Sequence, residues 1–299
     1  MKLTNKYGLP STVVRALTRS EYSKGESNRS ITQLIDSPRV RILRQENWEN
    51  MEEDVSEKMW AVLGSAAHKM FEETGDDKHV TEERLFAEVE GWVISGAIDV
   101  QRIDDSGITV IDYKTTSVWS VILGKKEWEY QLNCYAYLVR QAKKLPVTGL
   151  KVIAILRDWR ARDAEEKQDY PKAPIVEINV PLWNDAEQDR YIHERVSLHQ
   201  AAEFQRLTGT ELPECSQDER WEKPPIWAVK KIGNKRAIKL YDNEADAYEA
   251  LSAGQEIEFR RGEPTRCTAN WCRVNAWCSQ YKNYINHLAE NLASDTINK

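Results

Sequence analysis

The chain has 299 residues, 41% of them apolar and 30% charged, enough for one large hydrophobic core or two modest ones. A net charge of −6 argues against broad, nonspecific adhesion to nucleic acid but not against a local basic groove, and no apolar run approaches the ~20 residues that span a bilayer. The odd cysteine count of five and an N-terminus, MKLTNKYGLPSTVV, without an apolar secretory centre argue against a disulfide framework and for a cytoplasmic protein with no membrane partner.

Residues 1–53 alternate short helical patterns with polar breaks (SKGESNRS, then SPR) and are expected to form a helical N-terminal arm. From Asp54 to Glu73, apolar residues recur at helical spacing, with Asp54 as N-cap and Gly75 as the stop. Residues 85–116 switch to strand signals: LFAEVEG, WVISGAIDVQRI and GITVIDYKTT. Lys125 to Lys144 returns to a helical period, two strands follow at LKVIAILRDW and PIVEINVPLW, and a long helix runs from about Asp185 to Leu207. These elements make residues 54–207 a core of mixed sheet and helices. Residues 208–299 change texture: a Pro-punctuated linker, a hairpin (IWAVKKIGNKRAIKLY), a short helix (NEADAYEALSAG), a strand and three closely spaced cysteines. The last dozen residues are expected to fray. Eleven tryptophans are many for this length and suit buried anchors or stacking surfaces for bases.

The stretch VIDYKTT, 110–116, sends Asp112 and Lys114 to one strand face and Ile111 and Tyr113 to the other. DDSG, 104–107, is a strong turn signal. A turn centred between Asp105 and Ser106 pairs positions that sum to 211, which sets Asp99 opposite Asp112 with Cβ atoms about 5 Å apart. Facing carboxylates destabilise a sheet unless a positive charge sits between them. Lys114 is one candidate and a divalent cation is the other. Glu88, in the preceding strand, is a further candidate oxygen donor. Gln131 and Tyr135 share a helical face and follow this strand closely enough to pack beside the carboxylates. Gly64 lies inside a helix one turn before His68. Glycine there costs about 1 kcal/mol relative to alanine, which points to close approach of another backbone.

Taken in order, G-x3-H (Gly64, His68), G-x2-D (Gly96, Asp99), D-x-K (Asp112, Lys114) and Q-x3-Y (Gln131, Tyr135) resemble the PD-(D/E)xK nuclease superfamily, specifically its RecB-like exonuclease branch with phage recombination and CRISPR-adaptation relatives. Ile98 stands where the family usually has proline. The resemblance implies an α/β restriction-endonuclease-like core, a mixed sheet flanked by helices. It further implies Mg²⁺ or Mn²⁺ held by Asp99, Asp112, the Tyr113 carbonyl and His68, with Lys114 serving the attacking water and the developing phosphate charge. Gln131 and Tyr135 would position a DNA strand. The implied activity is metal-dependent DNA hydrolysis, exonucleolytic, in phage recombination or DNA processing, beside a recombination or single-strand annealing partner protein. The rival is a non-catalytic DNA-binding or scaffold protein that keeps the fold.

Cys267, Cys272 and Cys278 form C-x4-C-x5-C, and Cys215 can complete four thiolates. Four thiolates suit zinc or an iron–sulfur cluster. Zinc sites usually carry C-x2-C knuckles, absent here, and the resemblance adds relatives with a C-terminal [4Fe–4S] cluster, which Trp271 and Trp277 would shield from water. In such relatives the first cysteine usually precedes the nuclease motifs and a C-x2-C pair follows. This chain departs on both counts. Cys134 is expected to pack as a small hydrophobe. Lys230, Lys231 and Arg236, with the other basic residues of the hairpin, can track a phosphate backbone or simply protect an edge strand from aggregation. HERVSLH, 193–199, has its histidines six apart, not the four of a zinc helix, and reads as a solvated helix. No GxxxxGK[ST] occurs, so no ATP-driven helicase is fused within this sequence.

Overall fold

In the computed structural model, which describes residues 1–19, 25–72 and 76–297, the DDSG turn organises the sheet. Asp104 Oδ1 accepts the Ser106 N–H at 2.9 Å, and the chain reverses between the strands Trp92–Asp104 and Gly107–Thr116. Their antiparallel pairs run from Asp104↔Gly107 to Val100↔Ile111, each summing to 211 as the turn chemistry predicts. Pairing stops there, so Asp99 and Asp112 are the first residues past the point where the strands part.

The strand Gly107–Thr116 continues beyond that fork in parallel with Val147–Leu156, which in turn pairs antiparallel with Ile175–Val180. Along its other edge Trp92–Asp104 pairs antiparallel with His79–Val89, while Arg29 and Ser30 pair in parallel with Ile94 and Ser95 on the edge that Gly107–Thr116 leaves at the fork. The result is a six-stranded mixed sheet. Along Val147–Leu156, Leu150, Val152, Ala154 and Leu156 are buried at every second position, the period of a pleated strand.

The helix Lys126–Lys143 buries Trp128, Leu132, Tyr135, Leu138 and Val139 in the same core as Ile94, Ile98, Ile108 and Val110. Its approach is so close that a Cβ on Gly96 would lie 2.6 Å from Tyr135 Cε1. Only glycine fits there. The helix Asp185–Thr208 begins with an Asn184–Glu187 capping box and ends at Gly209 in the left-handed region, φ +68°. It is not solvated throughout as expected: His193 is exposed and meets Glu90 at 2.7 Å, but His199 is fully buried beside Ile192 and Val196, with Nε2 3.1 Å from the Leu34 carbonyl.

Asp54 caps the turn Val55–Lys58, which leads into the helix Met59–Glu72. The same carboxylate accepts the Lys6 N–H at 2.7 Å, where Lys2–Thr4 pairs in parallel with Glu52–Asp54. The expected stop at Gly75 lies outside the described residues.

Two compact units result: Met1–Asp36 with Trp48–Thr210, and Ser37–Asn47 with Glu211–Lys299. An arm ending at residue 53 does not anticipate that division. Its physical reason is Arg39, 1% exposed in the helix Pro38–Glu46. Its guanidinium donates to the Pro213 carbonyl at 2.9 Å, Ser279 Oγ at 2.8 Å and Glu211 Oε1 at 2.5 Å. A buried cation needs such partners, so the helix that carries it groups with 211–279. The second unit also holds a three-stranded sheet with Ile226–Lys231 between Ala237–Tyr241 and Gln255–Arg260, and a C-terminal helix, Ser279–Ile297, where fraying was expected.

Candidate metal centre

The fork between the two long strands leaves backbone groups without ladder partners, and the site is built from them. The Tyr113 N–H, past the last antiparallel pair, donates to Asp99 Oδ2 at 2.7 Å. The Tyr113 carbonyl is 2.8 Å from His68 Nε2. His68 Nδ1 then lies 3.4 Å from Asp99 Oδ2 and 4.0 Å from Glu82 Oε1. Ligand atoms of His68, Glu82 and Asp99 all fall within 4.8 Å of one another.

Asp112 stands beside this group rather than in it. It is 1% exposed, with Oδ2 2.6 Å from Lys114 Nζ and Oδ1 accepting from Gln131 Nε2 at 3.3 Å. Burial pushes its carboxyl up to about 6, opposed by Lys114 and reinforced by Asp99. His68 is raised from the ordinary histidine value, chiefly by Asp99, against burial and with help from the charge of Asp112. The raised imidazole reflects the carboxylates around it, and the donors present, carboxylate and carbonyl oxygens plus one imidazole, suit a divalent cation such as Mg²⁺ or Mn²⁺.

Of the sequence-derived candidates, His68, Asp99, Asp112, Tyr113 and Lys114 converge. Gln131 and Tyr135 share one face as expected, but both are buried, 7% and 4% exposed, and Gln131 also donates to Tyr135 Oη at 2.8 Å. They orient Asp112 from behind instead of facing a DNA strand. Glu88 does not contribute. It is exposed and opposes Val93, six residues or ~20 Å along the strand from Glu82.

Glu82 is the residue that sequence reasoning missed. Its neighbours pair as Thr81↔Val100 and Glu83↔Ile98, so it faces Asp99, with a backbone φ of +50°. A non-glycine residue held there is strained, and such strain gathers at functional sites. The antiparallel sum of 181 across that hairpin would have found it, had WVISGAIDV been paired with the preceding strand. Gly64 also departs from expectation. A Cβ there meets nothing within 4 Å, so no backbone approaches it, and Gly96 is the motif glycine that allows close packing.

In the second unit, Cys215, Cys267, Cys272 and Cys278 are all buried and line one small cavity with Arg39 and Val274. Cys215 Sγ is 3.1 Å from Ser37 Oγ, and Arg39 Nη1 points at Cys278 Sγ, 3.9 Å away. Burial pushes Cys215 up to about 12 and Cys267 up to about 11. Among the described residues, no three cysteine sulfurs come within 4.8 Å of one another, whereas a single tetrahedral zinc with 2.3 Å bonds draws sulfurs to about 3.8 Å. Trp271 is 69% exposed and does not shield the thiols as expected. Cys134 packs as a small hydrophobe, 1% exposed and pushed up to about 12 by burial. In the hairpin, Lys230 is compensated by Glu258 at 3.0 Å and Glu256 at 3.3 Å, while Lys231, Lys235, Arg236 and Lys239 are exposed.

The model of the PD-(D/E)XK nuclease superfamily matches residues 12–279, and the chain belongs to that superfamily. An ATP-dependent helicase/nuclease protein of Streptococcus pyogenes serotype M5 (strain Manfredo) is 37% identical over 78 residues, 24% of this chain. The chain spans about 6% of that relative's length, and the same holds for the serotype M49 (strain NZ131) protein. Among solved structures, SSO0001 aligns with a TM-score of 0.40 and 20% identity over 62% of this chain and 85% of that one. An alkaline exonuclease (LHK-Exo) from Laribacter hongkongensis aligns with a TM-score of 0.32 and 12% identity over 60% and 91%. No helix among the described residues is long and apolar enough to cross a membrane.

Proposed function

We propose that this chain hydrolyses DNA phosphodiesters with a divalent metal, acting from strand ends. The observation that carries the reading is the meeting of His68, Glu82 and Asp99 within 4.8 Å beside the Asp112–Lys114 ion pair at 2.6 Å. His68, Glu82, Asp99, Asp112 and the Tyr113 carbonyl would hold Mg²⁺ or Mn²⁺. When bound, the ion supplies Lewis-acid polarisation of the phosphate and charge neutralisation.

The remaining chemistry belongs to side chains of the chain. Hydrolysis adds a water oxygen to phosphorus and breaks the bond to one ester oxygen, leaving a phosphate monoester and a hydroxyl. Lys114, partly exposed beside buried Asp112, places its Nζ to hold that water and to stabilise the negative charge that grows on the phosphoryl oxygens. Asp112 keeps the ammonium in place, and Gln131, anchored on Tyr135, keeps Asp112 in place. A scaffold without catalysis has no need of this arrangement. Mn²⁺ should raise the Tm of the parent and not of Asp99→Ala, and end-labelled linear DNA should be degraded while a closed circle survives. Equal loss of both substrates would make the enzyme endonucleolytic. A recombination or single-strand annealing protein is the partner such an enzyme would serve.

The four cysteines support a second, separate proposal: a [4Fe–4S] cluster in the second unit. Its thiolates each bind a different iron, so the sulfurs need not draw as close together as around one zinc ion. Arg39, buried against Cys278, would offset part of the cluster's negative charge.

A further inference from the structure

The helix Met59–Glu72 carries His68 into the metal centre, and two earlier residues share its ridge. Trp60, Gly64 and His68 fall at successive four-residue steps, one above the other along the helix. Trp60 is 53% exposed although it is the largest apolar side chain on the helix. The Arg157 guanidinium lies over its ring, 4.6 Å from the centroid. Between Trp60 and His68 the ridge dips at Gly64, where an added Cβ would meet no atom of another element within 4 Å.

Arg157 ties this ridge to the strand that bears Lys114. Its N–H donates to the Thr116 carbonyl at 3.0 Å, two residues beyond Lys114. The next residue, Asp158, accepts the Val118 N–H at 2.8 Å and fixes the segment bearing Trp119, 62% exposed. An exposed indole under a cation, an open saddle and a metal centre therefore lie in sequence along one helix. Trp60 is about 12 Å from His68 along the axis, the length of roughly three or four stacked nucleotides at 3.4 Å each.

We propose that this ridge is a single-strand track, and that a nucleobase near the cleaved end stacks on the Trp60–Arg157 pair. The inference rests on the nuclease reading and adds its substrate form. Aromatic rings and guanidinium planes are the surfaces on which unpaired bases stack, while bases inside a duplex already stack on one another. The cation also complements the phosphate charge that an acidic metal centre repels. The track thus selects an unpaired end.

The test is binding of a fluorescent oligothymidylate to the full chain in Ca²⁺, followed also by tryptophan quenching. Trp60→Ala should weaken binding about 5- to 150-fold, the range that stacking one base covers, remove part of the quenching and leave Tm nearly unchanged. Trp60→Phe should restore most of the affinity. Gly64→Leu, a better helix former in open space, should block the saddle and weaken binding without loss of fold. Unchanged affinity in Trp60→Ala with a fallen Tm would make the pair a structural staple and overturn the proposal, leaving the nuclease reading intact. A shift in oligomeric state in Trp60→Ala would overturn it in favour of contact between copies. A parent chain that binds neither single nor double strands would overturn both readings.

Discussion

Gly96→Ala is the substitution whose consequence the geometry specifies most closely. The new methyl would lie 2.6 Å from Tyr135 Cε1, 2.9 Å from Cδ1 and 3.0 Å from Leu138 Cδ1. Ordinary contact needs about 0.8 Å more than the shortest of these. Tyr135 cannot swing into solvent, since it is 4% exposed and its hydroxyl accepts from Gln131. Overpacking of this kind costs about 1–3 kcal/mol, which for a unit of this size lowers Tm by about 2–12 °C. The displacement should also travel: Tyr135 moves Gln131, and Gln131 holds Asp112 Oδ1. Divalent-ion affinity should therefore fall even though no ligand has changed. Thermal denaturation by circular dichroism, with and without Mn²⁺, reads both effects. Adding Gly96→Ala to Tyr135→Ala should destabilise little further, because the ring is gone. Parent-like Tm in Gly96→Ala, or full additivity in the double variant, would refute the proposed packing of helix on strand.

Other outcomes follow from the same contacts. Asp112 has its carboxyl pushed up to about 6 from an unfolded value near 4, so its contribution favours the fold below about pH 4 and is lost as pH rises through 6; Asp112→Asn should gain Tm relative to the parent at pH 8 without metal, and lose the Mn²⁺ shift. Glu82→Gly should relieve about 1 kcal/mol of strain at φ +50°, raising Tm without metal while weakening Mn²⁺ binding in calorimetry. Asp54 is held well below the usual carboxylate range, first by the Lys6 N–H and then by Ser56, so its contribution is present above about pH 4 and lost below; the Tm deficit of Asp54→Ala should shrink on acidification. Protein purified without air should contain about four irons per chain if the thiols hold a cluster, and Cys272→Ser should lose them while Cys134→Ser keeps them.

The hairpin that carries the carboxylates was legible because local chemistry dictated it. A two-residue turn at Asp105–Ser106 leaves one register, which the strands keep as far as Val100↔Ile111, one pair short of Asp99 and Asp112. The start of the segment at Asp54 was legible for the same reason, as a cap. Glu82 was legible only through the pairing of its strand with Trp92–Asp104, since a strand glutamate beside another glutamate offers no local pattern and its left-handed backbone is imposed by what surrounds it. Gln131 and Tyr135 were correctly placed on one face, but whether that face meets solvent or core depends on Gly96, thirty-five residues earlier in sequence than Gln131. Arg39 shows the same limit. Nothing near it in sequence announces that its partners lie at 211–213 and 279.

The most direct measurement is cleavage of end-labelled linear DNA in Mn²⁺ by the parent, Asp99→Ala and Lys114→Ala side by side, with DNA binding measured in parallel. The parent should degrade the DNA. Asp99→Ala should lose both Mn²⁺ binding and cleavage, and Lys114→Ala should keep DNA and Mn²⁺ binding but lose turnover, since its role arises mainly in the transition state. Cleavage at the parent rate by either variant would contradict the assignment of this site as the catalytic centre.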